Sequence, residues 1–259
     1  MVEWILLYFH KIRRTSHSAA LYNIRMKINI IIIISLLSIK GFCQKDTTLF
    51  KKQELIINKK SAFFKGKEIY NAERDLKELT EQEKTDECSV NYEFYNNPLS
   101  LVGNYYSYES GEGGVIACGV PGNSLNVLTI DLDNNKAISL SDIFLEESII
   151  KALKDDNWIK KNMDERKIDF QSINSFEVFI DTINSLGYAK FKSNSFAVLG
   201  YNKKNGYVSV RLVGEEYLGF NHNKHLQLGL WVKPKESYKE LFKNKIHFTI
   251  GDYKSGLKK

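Results

Sequence analysis

Between Cys88 and Asp133 the apolar side chains recur at every second position, and that period limits the fold more than any other feature of the chain. In CSVNYEFYNN, Val90, Tyr92 and Phe94 alternate with polar neighbours, and in NVLTIDLD, Leu128, Ile130 and Leu132 alternate with Thr129, Asp131 and Asp133. A period of two sends successive side chains to opposite faces of a strand, so these segments read as antiparallel strands with one packed face and one wetter face. Asn96, Asn97 and Pro98 read as a turn, and LSLVGNYYSYES and GVIACGV as strands separated by Gly111, Gly113 and Gly114.

The period then changes. Ile149, Ile150, Leu153, Trp158 and Ile159 form a helical stripe in EESIIKALKDDNWIKKNM, and a second helix is expected from about Ser175 to Leu186, stopped by Gly187. Strands return in FAVLGYNKKNGYVSVRLV, a hairpin turning at Asn205 and Gly206. HLQLGLWV and KIHFTI add two more, with a short helix around Glu236 to Phe242 between them. Near the N-terminus, Ile69, Ala72, Leu76 and Leu79 suggest an amphipathic helix over about 67–84, preceded by a polar segment that is an early strand or a tether. The expected class is α+β, an antiparallel sheet with helices packed on one face, in a single domain over 65–259 that follows an N-terminal segment, 44–64.

From Met26 the chain reads MKINIIIIISLLSIKGFCQ: a basic start, an apolar run from Ile28 to Ile39, then Gly41, Phe42 and Cys43. That order is a secretory signal peptide, and the run is shorter than the roughly 20 residues a spanning helix needs. Cleavage between Cys43 and Gln44 makes 26–43 the leader and the mature chain periplasmic or extracellular, without a membrane span. The alternative is a lipidated Cys43, against which Lys40, Gly41 and Phe42 stand where a lipobox needs aliphatic and small residues. Residues 1–25 read as a non-native extension. Charge agrees with export: residues 1–43 hold six basic side chains against Glu3, and taking them from the totals of 37 and 31 leaves 31 basic and 30 acidic. A near-neutral remainder gives no reason to expect a nucleic-acid partner.

Export also gives meaning to Cys88 and Cys118, an even pair in an oxidising compartment, for which one disulfide is expected; two reduced, buried thiols are the alternative. Closing such a loop is worth roughly 3–4 kcal/mol.

DLDNNKAISLSD, from Asp131, has an EF-hand's spacing at Asp131, Asp133, Asn135 and Asp142, but Lys136 stands at the glycine position and a strand precedes it where a helix belongs. It reads as a polar reverse turn over Asp133 to Lys136. Ile138 and Leu140 then resume the strand, Ser141 or Asp142 caps a following helix, and Ile143 and Phe144 plug the junction. His222 and His225, three apart on a strand, diverge, as do the adjacent Glu215 and Glu216. No catalytic, cofactor or metal residues are assigned. Tyr105, Tyr106 and Tyr108, beside the glycines, suit a surface that contacts protein or glycan; ordinary sheet packing is the competing reading.

IDLDNNKAISLSDIF, with a helix directly after it, resembles the signature of the RsiV-like extracytoplasmic domain family, and NSFAVLGYNKKNGYVSVRLV…LGLWVKP is similar to that family's closing strands. The likeness spans about 88–234. It implies a non-enzymatic binding or sensing domain of the cell envelope, monomeric, whose partner is a lysozyme-like protein or a glycan. The alternative it leaves is a polysaccharide-modifying enzyme or its accessory domain. Two departures stand out. Gly113 and Gly114 are followed by Val115 and Ile116 where many members have Ala-His, and the 27 residues before the apolar run are too short for a sigma-binding region.

Overall fold

A computed structural model describes residues 48–52, 54–83, 90–116, 122–187, 189–218 and 221–250. The leader, Cys43, Gln44, Cys88 and Cys118 lie outside these residues.

The chain opens with four short strands, β1 (Thr48–Lys52), β2 (Leu55–Asn58), β3 (Ser61–Phe64) and β4 (Lys67–Asn71), paired in sequence order as an antiparallel meander. The β3–β4 turn is Lys65-Gly66, both with positive φ (51° and 74°), the geometry a two-residue hairpin requires. This turn corrects the helix expected over 67–84. Lys67 to Asn71 is consumed by the returning strand, and helix α1 is Ala72–Glu83. The meander takes residues from both sides of position 65, so the expected N-terminal segment supplies three of its four strands.

The central sheet has the order β12-β5-β6-β7-β8. It is built from β5 (Val90–Val102), β6 (Tyr105–Ile116), β7 (Gly122–Asp131), β8 (Lys136–Ala137) and β12 (Ile246–Phe248). Neither the turn expected at Asn96–Pro98 nor the break at the glycines forms. β5 passes through Pro98, which lacks a ladder N–H; β12 pairs only with Leu101 and Val102, leaving that side of Pro98 without a partner strand, and the register shifts between Pro98 and Ser100. β6 passes through Gly111, Gly113 and Gly114 because it is paired on both sides there.

As expected, the stretch after β7 turns and enters a helix. Asp131 accepts from the backbone N–H of Asp133 (3.0 Å) and from Asn134 Nδ2 (2.6 Å), and Asn135 takes positive φ. Helix α2 (Leu140–Ile143) is entered at Ser139, whose N–H donates to Asp142 Oδ2 (2.7 Å), and Ile143 and Phe144 are fully buried. The cap is therefore Ser139 rather than Ser141 or Asp142, and the returning strand is Lys136–Ala137 alone, since Ile138 follows it and Leu140 already opens the helix where both were expected to resume the strand. The next stripe divides into α3 (Glu146–Asp155) and α4 (Asn157–Glu165), because Asp156 caps a new helix by accepting from Ile159 N–H (2.9 Å). α5 (Phe176–Ser185) follows, ending before Gly187 at φ 75°.

A three-stranded sheet of order β11-β10-β9 completes the fold with α6 (Glu236–Asn244), from β9 (Phe191–Asn202), β10 (Tyr207–Leu218) and β11 (Asn221–Val232). Its even-numbered face, with Phe196, Val210, Leu212, Leu228 and Val232, packs on the helices through Ile149, Leu153, Ile159, Phe176 and Phe179. Fully burying each of these contributes about 1.5–3 kcal/mol. The central sheet covers a second core on the meander, formed by Leu55, Ile57, Tyr70, Leu101, Tyr106 and Ile130. Helices on one face of an antiparallel sheet match the expected α+β class.

Between the central and three-stranded sheets lies a polar layer. Ser100 Oγ donates to the Val198 carbonyl (2.7 Å), Thr129 Oγ1 to the Phe196 carbonyl (2.9 Å), and Ser107 Oγ accepts from Val198 N–H (3.1 Å). Ser107 and Thr129 also bond each other (2.8 Å), and all three side chains are buried. β9 is the rim of its sheet, and these hydroxyls satisfy the backbone groups that a rim leaves unpaired.

Candidate functional site

The aromatic surface expected from Tyr105, Tyr106 and Tyr108 does not form as a surface. Alternation on β6 sends Tyr106 and Tyr108 into the core against the meander, 0% and 7% exposed. The Tyr106 hydroxyl bonds that of Tyr70 (3.1 Å), and the Tyr106 and Tyr108 rings stack at 5.5 Å. Tyr105 points the other way and meets Tyr238 edge-on at 5.8 Å, half-buried. The packing reading of these tyrosines holds, and burial raises the hydroxyl pKa of Tyr105 and Tyr108, as it does that of Tyr95 on β5.

His225 is buried with Nδ1 3.1 Å from the Gly214 carbonyl, a tethered core side chain. The carboxylates of Asp131 and Asp142 are spent on turn and helix N–H groups. Among the described residues no group of three or more His, Cys, Asp or Glu side chains could hold a metal ion.

Two other sites were outside the sequence reading. One is half-buried: Arg211 on β10 pairs with Glu109 on β6, and Glu109 Oε1 also accepts from Asn97 Nδ2 (2.7 Å). This pair ties the two sheets together, and Arg211 Nε is buried without a hydrogen-bond partner among the described residues.

The second is open. Trp231 on β11 is 53% exposed, one of two large apolar side chains so exposed among the described residues. β11 directs Leu226, Leu228, Leu230 and Val232 inward and Gln227, Gly229 and Trp231 outward. The signal was therefore in the sequence: a tryptophan on the polar phase of an alternating strand. β11 is a rim strand, and the α3–α4 corner shares a groove with it. Between them lies a groove of about 440 Å³ lined by Ser148, Lys151, Asp155, Asn157, Tyr207 and Trp231, among others. Lys233 fixes one end: its N–H donates to Ser148 Oγ (2.9 Å), its carbonyl accepts from Leu145 N–H (2.9 Å), and its ammonium sits 5.2 Å from the Tyr207 ring.

Along the helical wall, Lys151 Nζ donates to Asp155 Oδ2 (2.5 Å). That bond holds the Asp155 carboxyl below the usual carboxylate range and the Lys151 ammonium above its own. Asp155 is thus ionised at neutral pH, a fixed hydrogen-bond acceptor and a poor general acid, which needs a raised pKa. Asp156 is occupied as a helix cap. The groove offers an aromatic platform, a paired donor and acceptor, and an amide: equipment for binding.

No protein-family model matches the chain, and no curated protein does. Among solved structures it is similar to a member of the DUF3298 family from Bacteroides fragilis, at 16% identity over 70% of this chain. The match spans 65% of that protein's length with a TM-score of 0.27. It is a distant neighbour, and at that level neither fold nor activity is carried across. Among the described residues no helix is long and apolar enough to cross a membrane.

Proposed function

We propose that this chain is an exported, non-enzymatic cell-envelope binding or sensing domain of the RsiV-like type, which contacts its partner through the groove beside Trp231. The observation that carries this reading is the exposure of Trp231. Leaving that much indole in water forgoes the burial free energy every other large aromatic of the core gains, and a partner would recover it. Export is supported by the Met26–Cys43 leader, and the RsiV-like assignment by the strand, turn and helix step at Leu128–Phe144.

The test is retention of the protein, as the cell exports it, on purified envelope sacculi and on immobilised lysozyme, alongside Trp231→Ala. Retention on either that the substitution abolishes supports the reading. No retention, or retention that Trp231→Ala leaves unchanged, contradicts it.

A further inference from the structure

We infer that the Trp231 groove takes an uncharged saccharide chain, a hexose or N-acetylhexosamine oligomer; this rests on the binding role proposed above. Four observations converge. Trp231 presents a flat indole to solvent, and next to it Gly229 leaves open space, with no atom within 4 Å of where a Cβ would stand. A pyranose has one face of C–H groups and a rim of equatorial hydroxyls. The face lies flat on an aromatic ring, the rim needs donors and acceptors at its edge, and the volume of about 440 Å³ is within the roughly 300–1,000 Å³ range of small-ligand sites.

The edge groups fit that rim. Lys151 and Asp155, locked together at 2.5 Å, present a donor and an acceptor side by side, the pattern of two adjacent hydroxyls, and Asn157 adds an amide that can do both. Charge gives an ionic ligand little purchase, because the ammonium groups of Lys151 and of Lys233 at the end of the groove are balanced by the carboxylates of Asp155 and Asp156. An anionic polymer would find little net attraction.

Protein occupants fit less well. A docked protein would bury about 800 Å² on this side around a cluster of apolar anchors. Among the described residues Trp231 is the exposed large apolar side chain here, since Val178, the other one, is on α5 and does not line the groove. An added β-strand would run along β11 and stop at Lys233, whose N–H and carbonyl are already taken by Ser148 and Leu145.

The experiment is a calorimetric titration of the exported protein with cellotetraose and with chitotetraose, at low and high salt, with Trp231→Ala, Trp231→Phe and Asp155→Asn. At least one tetrasaccharide should bind. Trp231→Ala should weaken it by about 10-fold or more while Trp231→Phe keeps part of the affinity, because the ring face is what the sugar uses. Asp155→Asn should weaken it less, and raising salt should leave the affinity unchanged. All three substitutions are at exposed positions, and an unaltered circular dichroism spectrum confirms folding. Binding that falls steeply with salt would overturn the inference. If neither sugar binds while lysozyme or sacculi are retained in a Trp231-dependent way, the saccharide falls and the binding role stands. If nothing is retained, both fall.

Discussion

Tyr108 shows how a single buried hydroxyl sets a pH limit. Burial, with a smaller effect from Asp75, pushes it up to about 12, against about 10 in an unfolded chain. The folded state prefers the neutral phenol, so its contribution is complete below about pH 10 and is lost as pH rises to about 12, at roughly 1.4 kcal/mol per pH unit. Tyr95 and Tyr105 are shifted in the same direction. Urea unfolding should therefore show stability falling between about pH 10 and about pH 12, with a shallower fall in Tyr108→Phe. An identical fall in both would contradict this. Gly111 has no room for a side chain: a Cβ would lie 2.3 Å from the Ser124 carbonyl and 2.4 Å from the Tyr95 hydroxyl. Gly111→Ala should cost about 2–3 kcal/mol, whereas Gly200→Ala, in open space, should cost little by the same denaturation assay. At this scale alternation alone could not say which face of β6 would be covered. Both faces are packed, one by the meander and one by the second sheet, so Tyr106 and Tyr108 are interior and Tyr105 is half-buried, and among the described residues Trp231 on a rim strand is the large aromatic left in water.

Elements with local chemistry of their own were legible in the sequence. The Asp131–Asn135 turn, the Asn205-Gly206 hairpin and the helix ended by Gly187 each carry residues that fix their backbone. Elements decided by their neighbours were not. Pro98 and the β6 glycines read as breaks, yet stay in strands because partners on β6 and β7 hold them; Lys65-Gly66 turned a sequence with helical spacing back into a strand. The Ser100, Ser107 and Thr129 layer is likewise invisible in sequence, because it joins positions about 70–100 residues apart in the chain. It yields a prediction for the junction of the two sheets. Thr129→Val should cost about 1–3 kcal/mol by leaving buried groups unpaired, and Ser107→Ala a similar amount by orphaning Val198 N–H. The double substitution should cost less than the sum, since the two hydroxyls bond each other. Strict additivity in urea unfolding would show that they act separately.

For the molecule as a whole, the meander, the central sheet and the three-stranded sheet with its helices are stacked by contacts far apart in sequence, which composition and period could class but not arrange. Export remains the claim on which the cysteines depend. One mass measurement on the exported protein addresses both expectations. An N-terminus at Gln44 and a Cys88–Cys118 peptide under non-reducing conditions are expected; an N-terminus before Met26, or free thiols at both cysteines, would contradict them. The central claim, that the groove beside Trp231 is where this domain binds, is tested most directly by titrating the exported protein and its Trp231→Ala variant with solubilised envelope fragments. Saturable heat with the native protein that the substitution removes is the expected result, and equal heat from both, or none from either, would contradict the account.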